Sequence, residues 1–183
     1  MTNQTKVLRQ EVLGSRRFSN FFWAAIVTMG GVGFLLSGLS SYFHKNLLLV
    51  SDVSNIQFFP QGIALTFYGV AGTLLATYLW LVIIWDVGGG YNEFDKQSGE
   101  VKIFRLGFPG NNRKVEVKFP LEEVQSVKAE IREGVNPKRV LYLKAKKKRD
   151  IALTRVGEPI ALSTLENQGA ELARFLEVPL EGL

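Results

Sequence analysis

Hydrophobic and polar positions divide the chain into two regimes. Phe18 to His44 and Val53 to Trp85 carry no Asp, Glu, Lys or Arg, whereas from Asp86 onward apolar and charged residues alternate at short range. A bilayer core is crossed by about 20 consecutive apolar residues in a helix. Phe21 to Tyr42 meets that length, as does Gly62 to Trp85, which Asp86 closes. Trp23 and Tyr42 stand near the two ends of the first run, where amphipathic rings favour the headgroup level. The run is longer than the apolar region of about 7–15 residues in a cleavable leader, so it reads as an uncleaved anchor. The chain therefore divides into a basic N-terminal arm (1–17), a first transmembrane helix (18–43), a short loop (44–62), a second transmembrane helix (63–85) and a β-rich domain (86–183). Within the loop, Leu47 to Phe59 is apolar enough to lie along the interface, and Pro60 bars a continuous helix into the second span.

After Asp86 the period shortens to that of strands. Tyr91 to Phe94 and Glu100 to Leu106 flank DKQSG, a hairpin signal. Val115, Val117 and Phe119 alternate with charges, Val124 to Ile131 forms a further strand before a GVNP turn, and Leu141, Leu143 and Ala145 alternate with Tyr142, Lys144 and Lys146. With Ile151 and Leu153 this predicts five or six antiparallel strands, each with one wet face. The end is helical: Ser163-Thr-Leu-Glu166 fits a capping box, Leu165, Leu172, Ala173 and Leu176 share a face, and Val178-Pro179 stops the helix. The expected fold is an α+β membrane protein, a two-helix transmembrane hairpin followed by a small antiparallel β domain with a C-terminal helix. A pleckstrin-homology-like module has that order of elements, an analogy of fold that assigns no function.

Composition narrows the chemistry. With 183 residues, no cysteine and one histidine, the chain lacks the ligands for thiolate zinc or iron–sulfur sites and the residues for a disulfide or a cysteine nucleophile. No residue set for catalysis, and no cofactor, is expected. The net charge of +5 is unevenly placed: Lys6, Arg9, Arg16 and Arg17 face only Glu11 in the arm, Lys45 balances Asp52 in the loop, and the tail carries the remainder. Positive residues stay on the side of synthesis, which puts both termini on the cytoplasmic face, or its organellar equivalent, and the loop on the far side. No ionisable residue lies at the centre of either span, so an ion pump is not expected. Gly30, Gly33, Ser37 and Ser41 share one face of the first helix; Gly69, Thr73 and Ala76 share one of the second, with Gly72 beside them. Such faces suit close packing in lipid, either between the two helices or against another membrane protein.

Three features of the tail are candidate sites. Gly88-Gly89-Gly90 lacks any phosphate-loop context and reads as a flexible exit from the membrane. Lys144, Lys146, Lys147, Lys148 and Arg149 form the strongest basic cluster. It reads as a solvated hairpin tip or as a membrane-surface contact, where each base adds about 1 kcal/mol; nucleic acid is not an expected partner, because no aromatic-interleaved RNA-binding strand accompanies it. Arg105-Leu-Gly-Phe-Pro-Gly-Asn-Asn-Arg113 places an arginine on each side of a Phe108-Pro109-Gly110 turn. Its guanidiniums either grip a partner's carboxylates bidentately or pair with the domain's own acids, such as Glu166.

WDVGGGYNEFD (Trp85 to Asp95), IFRLGFPGNNR (Ile103 to Arg113), EEVQSVKAEIREG (Glu122 to Gly134), RVLYL (Arg139 to Leu143), LTR (Leu153 to Arg155) and AELARFLEVPLE (Ala170 to Glu181) resemble the photosystem I assembly factor family of thylakoid membranes, found in plastids and cyanobacteria. The resemblance covers nearly the whole chain. It implies a non-catalytic scaffold in the thylakoid membrane, acting on photosystem I core and stromal subunits, with other assembly factors in a large complex. By position it points to Arg105 of the Phe-Pro-Gly motif and Glu166 of the C-terminal helix as partner-binding residues, beside Phe108, Pro109 and Arg113. Relatives often carry a second acid two positions before Glu166; Thr164 stands there, so a role needing both acids does not transfer.

Overall fold

The computed structural model describes residues 6–48, 53, 55–132, 134–135, 138–146, 149–154 and 161–182. It divides into two compact units: residues 14–87, and residues 1–13 together with 88–183.

The first unit is a helical hairpin. Helix α1 (Phe18–Phe43) and helix α2 (Ile63–Ile84) pack on each other, and an irregular helical turn over Phe58–Gly62, broken at Phe59, leads into α2. Both helices are long and apolar enough to cross a membrane, and only 17% of either span is buried within the chain. A soluble core helix would be mostly covered, so the exposed apolar faces of Phe22, Met29, Phe67 and Leu74 call for lipid or for other helices.

On α2 the packing face includes the expected Gly69 and Ala76, with Gly72 against Gly31, whereas on α1 it is turned away from the expected Gly30 and Gly33. Ala24, Gly31 and Gly38 on α1 oppose Gly69, Ala76 and Ile83 on α2, two rows with seven-residue spacing. At Gly31 an added Cβ would lie 2.7 Å from the backbone of Gly72 and Thr73, at Gly38 it would meet Thr66, and at Gly69 it would meet Leu35. Gly30 and Gly33 face open space, with nothing within 4 Å of the same probe. A seven-residue repeat keeps a seam aligned over many turns, which the i, i+3 spacing of Gly30 and Gly33 does not. Hydroxyls within the pair bond back along their own helices, Thr28 to the Ala24 carbonyl and Thr73 to that of Gly69. Trp80 Nε1 donates across the pair to Thr28 Oγ1 at 2.9 Å.

The start of the hairpin closes its end. Ser15 Oγ donates to the Val82 carbonyl, and Arg16 donates to the carbonyls of Ile83 and Ile84. These are last-turn acceptors, of which Val82 and Ile83 also accept the N–H groups of Val87 and Asp86, at the negative end of the α2 dipole, where a cation is favoured. Ser41 Oγ donates to the Ile56 carbonyl at the other end. Of the Leu47 to Phe59 segment expected at the interface, residues 49–52 and 54 lie outside the described residues, and its last two residues open the irregular turn that leads into α2.

The second unit holds two four-stranded sheets. Sheet A runs β1 (Val7–Val12), β2 (Gly90–Asp95), β3 (Glu100–Leu106), β4 (Lys114–Pro120) in spatial as in chain order, all antiparallel. Sheet B has the order β7 (Ile151–Ala152), β6 (Lys138–Ala145), β5 (Val124–Arg132), β8 (Leu180–Glu181), with β8 parallel to β5. Helix α3 (Leu162–Leu176) packs on β5, β6 and β8. Phe94, Val101, Ile103 and Phe119 from sheet A meet Val127, Leu141 and Leu143 from sheet B and Leu165 and Leu172 from α3 in one core. The expected antiparallel β domain with a helix near the C-terminal end is present; seven strands follow Asp86 where five or six were expected, and the last, β8, runs parallel to β5.

Two corrections concern ends. The basic arm is not a separate segment: Val7–Val12 is an edge strand of sheet A, paired residue by residue from Val7↔Asp95 to Val12↔Gly90. The β unit is therefore discontinuous, and the helical hairpin is an insertion between its first two strands. Helix α3 begins two residues earlier than the capping box implied. Ala161 is its N-cap and no side chain caps it, so Ser163 and Glu166 both lie inside the helix. Its C-terminal end is as expected, with Glu177 in the left-handed conformation returning its N–H to the Ala173 carbonyl.

Candidate functional site

Arg105, at the end of β3, lies on the core-facing side of sheet A. Val101 and Ile103 on that face are buried, and Arg105 is where the core runs out. Its guanidinium turns inward. Nη2 donates to Asn92 Oδ1 at 2.7 Å and to the Leu153 carbonyl at 2.9 Å, while Nη1 donates to the carbonyls of Phe104 and Tyr91. Asn92, only 1% exposed, completes the link by donating Nδ2 to the same Leu153 carbonyl at 2.9 Å. Arg105 and Asn92 thus tie β2 and β3 of sheet A to the chain just after β7 of sheet B. All four acceptors are neutral, and burial without an anion pushes the Arg105 pKa down. Neither alternative weighed for Arg105 from its spacing describes this arrangement. The guanidinium is taken up by the protein's own carbonyls, and no ion pair joins it to Glu166 among the described residues.

The loop after β3 is set by backbone bonds: the Gly107 N–H donates to the Arg113 carbonyl at 2.7 Å, and the Arg113 N–H to the Gly110 carbonyl at 3.2 Å. It presents Phe108, Pro109 and Arg113 to the surface. On the outer side Tyr91 stacks on Phe104, and Arg9 of β1 lies 3.9 Å over the Tyr91 ring. Glu166 is exposed on α3. The structure thus separates the five expected partner-binding residues into a buried anchor, an exposed loop and an exposed helix position.

The basic cluster stands elsewhere. Lys144 lies 3.8 Å from Glu181, and the Lys146 N–H donates to the Glu123 carbonyl. Lys147 and Lys148 lie outside the described residues, as does Arg155 of the LTR motif. Glu123 ends the short turn Leu121–Glu123, whose Leu121 N–H bonds the Gly99 carbonyl in the β2–β3 turn. The cluster therefore belongs to the end of sheet A away from Gly90 and Arg105.

Sequence reasoning missed Asn92 and Ser15. A polar residue at an inward position of a strand, here between Gly90 and Phe94, was the available signal for Asn92. Ser15 beside Arg16 just ahead of a span is a signal for a cap acting on another helix.

Comparison with known sequences adds the lineage. The family profile for Ycf4 matches residues 5–174. The chain belongs to the Ycf4 family. Relatives that carry the name photosystem I assembly protein Ycf4 include one from Synechocystis, 69% identical over 183 residues, which covers all of this chain and 97% of the relative. One from Microcystis aeruginosa is 68% identical over 177 residues, covering 97% of this chain and 94% of the relative. One from Picosynechococcus is 68% identical over 182 residues. The matched stretches take in both the hairpin and the β unit, and the resemblance drawn from six motifs stands.

Proposed function

We propose that this chain is a non-catalytic scaffold of the thylakoid membrane that holds newly made photosystem I subunits during assembly. The observation that carries the reading is near full-length identity to relatives named for photosystem I assembly. The hairpin insertion supports it. If both helices span, pairing of Val12 with Gly90 requires residues 6–13 and 88–182 to lie on one side of the bilayer. The bases at Lys6, Arg9, Arg16 and Arg17 assign that side to the stroma or cytoplasm. A holding factor needs surface rather than a cleft, and it must bind the partial complex more tightly than the finished one. Phe108, Pro109, Arg113 and Glu166 offer that surface to photosystem I core and stromal subunits or to other assembly factors, while Arg105 acts through the loop it anchors.

The test is affinity purification of the tagged chain from mild-detergent thylakoid membranes, with identification of the co-purifying chains. Photosystem I core subunits are expected; a preparation without them overturns the reading. The pleckstrin-homology-like order of strands favours a second reading, a membrane-tethered lipid- or protein-binding module. That reading survives if the purified chain brings lipid but no photosystem I subunit.

A further inference from the structure

Of the six large apolar side chains exposed on the described residues of the β unit, three, Leu13, Phe108 and Val115, lie at one end of sheet A; Val7, Val135 and Leu162 are elsewhere. Val115, Val117 and Phe119 share one face of β4, and burial falls along it from Phe119 at 3% exposure to Val115 at 50%. Leu13, just past β1, is 68% exposed and Phe108, just past β3, is 48% exposed. The register aligns them: Val12, Gly90, Arg105 and Val115 form one row across the sheet, and Leu106 opposite Lys114 forms the next. Beyond that row comes the Phe108 to Arg113 loop. Arg113 and Lys114 beside it are exposed, and neither forms an ion pair among the described residues.

This is also the end at which the chain joins the two helices. The Gly88 N–H bonds the Leu106 carbonyl and the Leu106 N–H bonds the Gly89 carbonyl, each at 2.7 Å. Only four residue steps separate Ile84, the last of α2, from Gly88, and four extended residues reach about 14 Å at most. Gly14 to Arg17 make an equally short passage from Leu13 into α1. Chain length alone therefore ties this end of the sheet close to where two bilayer-spanning helices would end. The interfacial zone is itself roughly 5–8 Å deep on each side. The basic cluster of Lys144, Lys146 and Arg149 is at the opposite end of strands about 20 Å long.

We propose that the Phe108 to Lys114 loop, with Leu13 and Val115, is a membrane-surface anchor: Phe108 enters the headgroup layer, and Arg113 and Lys114 bind anionic lipid headgroups. An exposed aromatic flanked by bases is the chemistry that interfaces favour. The occupant is lipid, because the loop is tethered beside the bilayer whether or not a protein partner is present; Phe108 and Arg113 are then withdrawn from the partner surface of the proposed function, which keeps Pro109 and Glu166. The anchor holds the β unit against the membrane at three points: two covalent and one adsorbed.

The inference rests on the hairpin spanning the bilayer, and the test measures both. The chain has no cysteine, so single cysteines take a nitroxide label without further changes. Phe108→Cys, Gln97→Cys in the far turn and Met29→Cys in the middle of α1 are placed in separate full-length chains in nanodiscs containing anionic lipid. Collision rates with oxygen and with a water-soluble nickel complex are then read by spin resonance. The label at 29 should be oxygen-rich and nickel-poor, which establishes the span. The label at 108 should show nickel access several-fold below that at 97, and adding Arg113→Glu and Lys114→Glu should raise it toward that at 97. Equal nickel access at 108 and 97, with 29 buried in lipid, overturns the anchor alone. Nickel access at 29 overturns the span and the anchor together. Shielding at 108 that appears only after photosystem I subunits are added overturns it in favour of a protein contact.

Discussion

Arg105→Ala separates an internal role for this guanidinium from a partner contact. Removing it deprives the buried Asn92 Oδ1 of its 2.7 Å donor. The Leu153 carbonyl loses one of two donors, the other being Asn92 Nδ2. An acceptor left unpaired in the interior costs about 1–3 kcal/mol. The bonds to Tyr91 and Phe104 lie nearer the open end of the core, where water takes over part of their work. We expect the β unit to lose about 2–3 kcal/mol, set mainly by Asn92. Arg105→Lys, which keeps the charge without the planar fork, should lose about half of that. The assay is native-state hydrogen exchange of the full-length chain in nanodiscs, which resolves local stability. Amides of β2, β3 and β6 should exchange roughly 30- to 150-fold faster in Arg105→Ala, about tenfold per 1.4 kcal/mol, while amides of α1 and α2 stay unchanged. Exchange within threefold of the parent would refute the reasoning. So would photosystem I falling while the variant's own level and exchange stay normal, the result expected if Arg105 were itself the contact.

Other expectations follow from the seam, the insertion and a turn. Gly31→Leu, whose Cβ would press on the backbone of Gly72 and Thr73, should destabilise the hairpin by about 1–3 kcal/mol, whereas Gly30→Leu should change it by less than about 0.5 kcal/mol; Trp80 fluorescence during detergent-induced unfolding compares them in a background with Trp23→Phe and Trp85→Phe, which leaves Trp80 as the one tryptophan. Replacing residues 14–87 with Asn-Gly should give a folded β unit of its own, because Val12 and Gly90 are already partners; an unfolded product by circular dichroism would count against the insertion. Asp95 accepts bonds from the Ser98 hydroxyl and the Gln97 N–H, and these hold its pKa below the usual 3.8. Its stabilisation should be complete above that value and disappear as pH falls through the lower folded value. Asp95→Asn should flatten this part of an acid titration followed by β2–β3 amide shifts.

The elements that positioned the site were largely readable as pattern. Uncharged runs marked both helices, and period-two alternation marked β3, β5 and β6, because one-sided burial imposes those periods. What escaped was non-local. β1 carries only a short alternation around Leu8, Gln10 and Val12, and its partner lies beyond the hairpin, so no local signal tied it to β2. Ser163 and Glu166 had the spacing of a capping box, but Ala161 starts the helix; spacing cannot say which turn comes first. Phe-Pro-Gly flanked by arginines announced a shaped loop, yet that Arg105 turns inward depended on Asn92 and Leu153, which are brought near it only by folding.

The insertion also sets an order of events. At about 5–20 residues per second, synthesis needs roughly 4–16 s to proceed from Val12 to its partner Gly90. Through that interval β1 is a strand without a sheet, held at the membrane by the first helix. Closing so long a loop freely would cost about 4 kcal/mol of chain entropy. Packing of Gly31 against Gly72 brings the two ends of the hairpin together first, so closure is largely complete before β1 meets β2. In this chain the helical seam acts as a folding template, and a variant that loosens it should delay the β unit without touching a single residue of it.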